Sequence, residues 1–282
     1  MKLETLLDQV DQLVSLPAAC MRLNEMVNDP TCSAQDMGRV INQDVALTAR
    51  ILRIANSPMY GLSTQVDTVS RAVTVLGMKQ VRDLALASAA IKAFDGIPNT
   101  LVSMRSFWEH SIFCALCART LAMDCLRDQR ETVFVAGLLH DMGKLVLYNQ
   151  LPDLSRRVLE ATASGEKSRE PQITEHEIFG FDHAEIGSEL AHRWSLPLSL
   201  QESIAFHHDP DRAEENRKAV AVIHIANSIA ILAARKTDDL KFAPKIQNVA
   251  WKLTGLDEET IPATIASAQA QISSATALFI SK

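Results

Sequence analysis

Residues 134–147 read FVAGLLHDMGKLVL. Nearly every position is apolar, yet His140 and Asp141 stand side by side in the middle. A carboxylate taken out of water without a partner is so costly that it is normally paired, neutralised or bound to a metal. Which remedy applies to this pair decides whether the surrounding fold carries chemistry.

Working outward, the pattern on both sides is helical. ETLLDQVDQLVSL places Leu6, Val10, Leu13 and Val14 at helical spacing. LPAACMRLNEMVNDP opens with Pro17 and stops at Asn28-Asp29-Pro30. Ser33 and Asp44 stand where N-caps are needed, before AQDMGRVINQD and VALTARILRIANS, and Pro58 and Gly61 break the chain after the second. Residues 68–94 hold two helices hinged near Gly77, and FDGIPNT (94–100) reads as a linker. SFWEHSIFCALCARTLAM, ETVFVAGLLHDMGKLVLYNQ and LPDLSRRVLEATAS follow as helical stretches, and GEKSREP (165–171) as a surface loop. ITEHEIFG closes at Gly180, Asp182 caps HAEIGSELAHRWSL, and LPLSLQESIAFHH ends at Asp209-Pro210. RKAVAVIHIANSIAILAARK is a long apolar helix, and the tail supplies roughly two more. No run alternates as a strand would, and no period repeats. The fold class is therefore all-α.

Composition narrows the function. Hydrophobic residues are 47% of the 282 and charged residues 22%, an ordinary balance for a soluble protein. A net charge of −6 leaves no electrostatic footprint for nucleic acid and no general attraction to anionic membranes. Five irregularly spaced cysteines (Cys20, Cys32, Cys114, Cys117, Cys125) read as reduced thiols in a cytoplasmic protein. The opening MKLETLLDQVDQLV lacks the apolar run of a signal peptide, and no spanning segment is expected. Cys114 and Cys117 form C-x-x-C inside a helix, where core packing is the better reading than redox or zinc chemistry. Arg50, Arg53 and Asn56 share a helix face, either solvated or lining a groove for a partner or ligand.

The histidines sort by helical face. His110 lines up with Phe107, Cys114 and Cys117; His183 with Ile186, Gly187 and Leu190; His207 and His208 follow Leu200 and Ile204. With His140, five histidines and Asp141 point inward from four helices. His192 aligns with Glu185 and Glu189, and His176 sits between Glu175 and Glu177, so both read as solvated; His224 is ambiguous. Imidazoles and a carboxylate suit a divalent transition metal such as zinc, iron, manganese or nickel. The alternative is a metal-free buried His–Asp hydrogen-bond network.

The tract around His140-Asp141 resembles the HD superfamily of metal-dependent phosphohydrolases. The wider sequence resembles its HDOD branch through LPAACMRLNEMVNDP, VINQDVALTARILRIANSPMYG, AVTVLGMKQVRDLALASA, FWEHS, AGLLHDMGKLVL, GFDHAEIGSELAHRW and AFHHDP, over about residues 15–230. The resemblance implies an HD-type multi-helix bundle behind an extra N-terminal helical lobe. On that basis residues 1–100 form the front lobe, 101–235 the HD-like subdomain and 236–282 the C-terminal helices. It implies a one-metal site of His110, His140 and Asp141, completed in the superfamily by a late-helix aspartate. Here that position resembles Asn227, a neutral and poorer ligand. His183, His207 and His208 resemble the added ligands of the HD-GYP phosphodiesterases, which hydrolyse cyclic di-GMP, so one or two ions are implied. Lys144 resembles a lysine that contacts substrate phosphate; its plainer reading is a solvated helix cation. Ser106 stands where a glutamate can precede the first histidine, and HHDPDRAEEN replaces the Gly-Tyr-Pro signature. HDOD proteins are linked mostly to bacterial signalling without an established shared activity. The expectation is thus a stand-alone regulatory module acting through a protein partner. The alternative is a phosphohydrolase of a nucleotide or cyclic dinucleotide.

Overall fold

A computed structural model describes residues 3–11, 14–95, 100–163, 170–235 and 244–280. Among these there is no strand; sixteen α-helices follow one another. The front of the chain forms α1 (Leu3–Asp11), α2 (Ala18–Val27), α3 (Ala34–Ile41), α4 (Val45–Ala55), α5 (Val69–Leu76) and α6 (Met78–Phe94). The central part comprises α7 (Met104–Cys125), α8 (Arg130–Leu139), α9 (Met142–Gln150), α10 (Pro152–Ala163), α11 (Pro171–Phe179), α12 (His183–Arg193), α13 (Leu198–Phe206) and α14 (Arg217–Ala234). The tail adds α15 (Asn248–Thr254) and α16 (Thr260–Phe279).

Local chemistry sets most boundaries. Ser33 and Asp182 each close a reciprocal capping box, with Asp36 and Glu185. Asp44, Thr68 and Ser103 accept from backbone N–H groups of the first turns of α4, α5 and α7. Gly180 ends α11 at φ +84°, the left-handed conformation that glycine adopts without strain. The hinge expected near Gly77 separates α5 from α6. Most of FDGIPNT and of GEKSREP lies outside the described residues.

The 130–150 stretch departs from a continuous helix. It breaks at His140-Asp141, with α8 ending at Leu139 and α9 starting at Met142. His140 keeps helical angles while Asp141 turns to φ −98°, ψ 5°. The charged pair therefore sits in a corner between two helices, where an inward carboxylate need not displace a core side chain.

α7 is the central strut, packed by α8, α14 and α16, and α12 packs on α9 and α13. α14 has the length and hydropathy of a spanning helix, but most of it is buried within the protein, as befits a core helix. Cys114 and Cys117 are buried free thiols on α7, in keeping with a packing role. α6 meets α8 through buried polar groups. Asp83 accepts from Arg82 (2.8 Å) and from Thr132 Oγ1 (3.1 Å). Tyr60 donates to Glu131 (2.8 Å), which also accepts from Arg119 (3.0 Å). Arg50 donates to the Ser88 carbonyl, and Asn56 brackets the backbone of Val66 with two bonds of 2.7 Å. Those two residues brace the front helices, and Asn56, exposed, also lines a groove with Arg53. α1, although first in sequence, packs on α9 and α12.

Candidate metal centre

The corner between α8 and α9 aims Asp141 into the space between α7, α12 and α13. Its Oδ2 lies 3.4 Å from His140 Nε2, 3.6 Å from His110 Nε2 and 2.7 Å from Lys144 Nζ. Its Oδ1 lies 3.2 Å from His183 Nε2 and 3.8 Å from His207 Nε2. One carboxylate thus stands between two histidine groups. His110, His140 and Asp141 form one possible metal-holding trio; His183, His207 and His208 form the other, each with ligand atoms within 4.8 Å of one another. The six residues singled out in the sequence converge.

The inward faces are fixed from behind. His140 Nδ1 donates to the Gly137 carbonyl (2.7 Å) and His207 Nδ1 to that of Ile204 (2.8 Å). Each ring follows its helix and folds back on the carbonyl three residues earlier, leaving Nε2 as an inward lone pair. His183, the first residue of α12, sets Nδ1 2.5 Å from Glu175 Oε2. A carboxylate behind a histidine is the usual support of a metal-ligating ring. Glycines permit the approach of α9 to α12: a Cβ at Gly143 would lie 2.0 Å from the His183 carbonyl oxygen.

Electrostatics sharpen the picture. Burial pulls His110 down to about 4 and also lowers His140, His207 and His208, so these rings are neutral near pH 7. Burial works against His183 too, but the Glu175 carboxylate outweighs it and pushes the ring up to about 9. Burial would raise Asp141; the His140 ring and the Lys144 ammonium outweigh that and hold it well below the usual carboxylate range. His140 being neutral, the standing charges beside Asp141 are those of Lys144 and His183. The Nε2 of His183 faces His208 Nε2 at 3.0 Å, His207 Nε2 at 3.4 Å and Asp141 Oδ1. A single proton serves this crowd of acceptors. His140 Nε2 and Asp141 Oδ1 are buried without a well-directed hydrogen bond among the described residues. Inward lone pairs around too few protons fit a divalent ion, which would replace the His183 proton. Bound there, a metal would act as a Lewis acid and acidify a water.

The other expected residues fall as follows. Asn227, on α14, lies against His110, and its buried Oδ1 has no well-directed hydrogen bond among the described residues. A neutral amide thus stands beside His110 on α14. Lys144 is no solvated cation; its ammonium is committed to Asp141. Ser106 lies in a groove of about 980 Å³ between α7, α14 and α16 that His110 also lines. His176 and His192 are exposed. His224 is buried, bonded to the His207 carbonyl. Sequence reasoning missed Glu175, read only as the neighbour of an exposed histidine, and Gln247, which reaches the His208 carbonyl. No local pattern marks Glu175, because its bond to His183 joins two different helices.

A helical bundle closing around a histidine-aspartate corner of this make defines an HD-type protein. The HDOD domain profile matches residues 13–210, and the chain belongs to that family. An HDOD domain protein from Geobacter sulfurreducens is 26% identical with a TM-score of 0.77, over 99% of this chain and 97% of that one. A Shewanella amazonensis SB2B protein provisionally named a phosphohydrolase is 28% identical with a TM-score of 0.75, over 97% of each chain. A Treponema pallidum protein of uncharacterised role is 27% identical over 223 residues, 78% of this chain and 42% of that protein. The chain spans less than half the length of the curated relatives it matches.

Proposed function

We propose that the protein is a cytoplasmic regulatory module that holds a divalent transition metal, one ion or two, and passes its signal through a protein partner. The observation that carries this reading is Asn227. The late-helix position beside His110 presents a neutral amide oxygen where a carboxylate would anchor a catalytic ion. His140, Asp141, His183 and His207 are all buried, and Lys144 is held by Asp141, so little of the centre is free to grip a phosphate.

A second reading is favoured by the groove lined in part by His110, which has room for a nucleotide or cyclic dinucleotide. The provisional name of the Shewanella amazonensis relative points the same way. In that case His110 and Asp141 would meet the phosphate through the metal, and Lys144 would exchange Asp141 for a phosphate oxygen.

The test is elemental analysis of untagged protein, then assay of a phosphate-ester panel including cyclic di-GMP, with H140A, D141A and N227D alongside. Regulation predicts bound metal and no turnover in the wild type, with tighter metal in N227D. Metal-dependent turnover lost in H140A and D141A would overturn the regulatory reading. Metal-free protein under all conditions would overturn both.

A further inference from the structure

The second histidine trio is braced by residues that lie beyond the stretch matched by the family. α13 stops at Phe206, and the carbonyls at and just past a helix end need partners from outside the helix. Here they are spent on histidines. The Ile204 carbonyl accepts from His207 Nδ1, and the His207 carbonyl accepts from His224 Nδ1, both at 2.8 Å. The His208 carbonyl accepts from Gln247 Nε2 at 3.0 Å. The backbone N–H of Gln247 then donates to His224 Nε2 at 3.1 Å, which closes the set. His224 lies on α14 and Gln247 caps α15, and these two helices pack together.

We propose that His224 and Gln247 are positioning residues for the metal centre, and that the segment before α15 sets the geometry of His207 and His208. This rests on the metal reading above. Gln247 holds two points at once: its side chain fixes the His208 backbone, and its backbone fixes the ring that fixes His207. His208 is the more exposed of the pair, and its ring must reach within 3.0 Å of His183. Just past α13 the Asp209 N–H donates to the Phe206 carbonyl (2.9 Å) and the Arg212 N–H to the Asp209 carbonyl (3.1 Å), and neither bond uses the His207 and His208 carbonyls that His224 and Gln247 hold. Partners of this kind, one bond removed from the ion, typically change metal affinity about 10–100-fold when removed. Both bracing residues fall outside residues 13–210.

The experiment titrates untagged full-length protein with cobalt(II) and zinc(II), recording affinity, the visible cobalt spectrum and the melting temperature without metal. Q247E keeps the size and the backbone N–H but loses the side-chain donor; Q247A removes the side chain; K252A, at an exposed position on α15, is the control. The expected result is affinity lowered about 10–100-fold in Q247E and Q247A, with an altered cobalt spectrum and metal-free melting at the wild-type temperature. K252A behaves as wild type, and H224F moves in the same direction as Q247A. Wild-type affinity and spectrum in Q247E would overturn the proposal, as would an affinity loss that merely follows a fall in metal-free melting. If wild type takes no cobalt or zinc, the metal reading itself fails, and this proposal with it.

Discussion

Gly143→Ala is the most informative single change. A Cβ there would stand 2.0 Å from the His183 carbonyl oxygen and 2.8 Å from the Gly187 nitrogen. Both are backbone atoms, so no side chain can swing aside. Relief requires α9 and α12 to part by more than an ångström. Overpacking of a filled core costs about 1–3 kcal/mol, and a backbone clash belongs at the upper end. At roughly 2–4 °C per kcal/mol, melting should fall by roughly 6–12 °C. The same displacement carries Asp141, two residues upstream, away from His183 Nε2, now 3.2 Å from Oδ1. Metal affinity should therefore drop along with stability. Gly187→Ala is the internal comparison: its Cβ would meet one side-chain atom, Ile204 Cγ2, at 2.8 Å, and no backbone atom closer than 3.4 Å, so the clash should be the milder of the two. Thermal melts without metal and zinc titrations of both variants give the answer. G143A melting with wild type, or G187A proving the more damaging, would refute the reasoning.

Two further predictions concern pH. His183 is raised from 6.5 to about 9 in the folded chain, so its contribution is complete below 6.5 and is lost as pH rises through about 9. Metal-free protein should lose stability across that window while apparent metal affinity rises; denaturation and titration series should show both slopes flattened in E175Q. Glu202 accepts from the Asn216 side-chain amide and from the backbone of Asn216, Glu215 and Glu214, and these bonds outweigh burial and lower its pKa beneath 4.5. Its stabilisation is present above 4.5 and is lost as pH falls through the lower folded value. E202A should cost about 1.5–3 kcal/mol in urea denaturation at pH 7, and much less at pH 3.

The helices were legible because their signals are local. Ser33, Asp44 and Asp182 cap where an oxygen acceptor is needed, and Gly180 ends α11 where only a left-handed residue fits. The inward histidines were legible for the same reason, since each shares a face with apolar neighbours. The break at His140-Asp141 was not, because no proline or glycine marks it; burial of the corner among α7, α12 and α13 imposes it. Lys144 reads as a phosphate contact or a solvated cation, and neither reading shows the Asp141 carboxylate that the corner brings beneath its ammonium. Glu175, His224 and Gln247 act through carbonyls and rings supplied by distant segments, and no single helical face reveals such a bond.

The two trios that could hold a metal draw on positions 110, 140–141, 183 and 207–208, widely spaced along the chain. A metal held by either trio would tie off a loop of the chain, as a cross-link does, and an unfolded chain has no such preformed site. Mass action then applies: free metal at about a hundred times its dissociation constant adds about 2.7 kcal/mol to the folded state. The amount of folded protein in a cell would accordingly follow metal supply, with no turnover required.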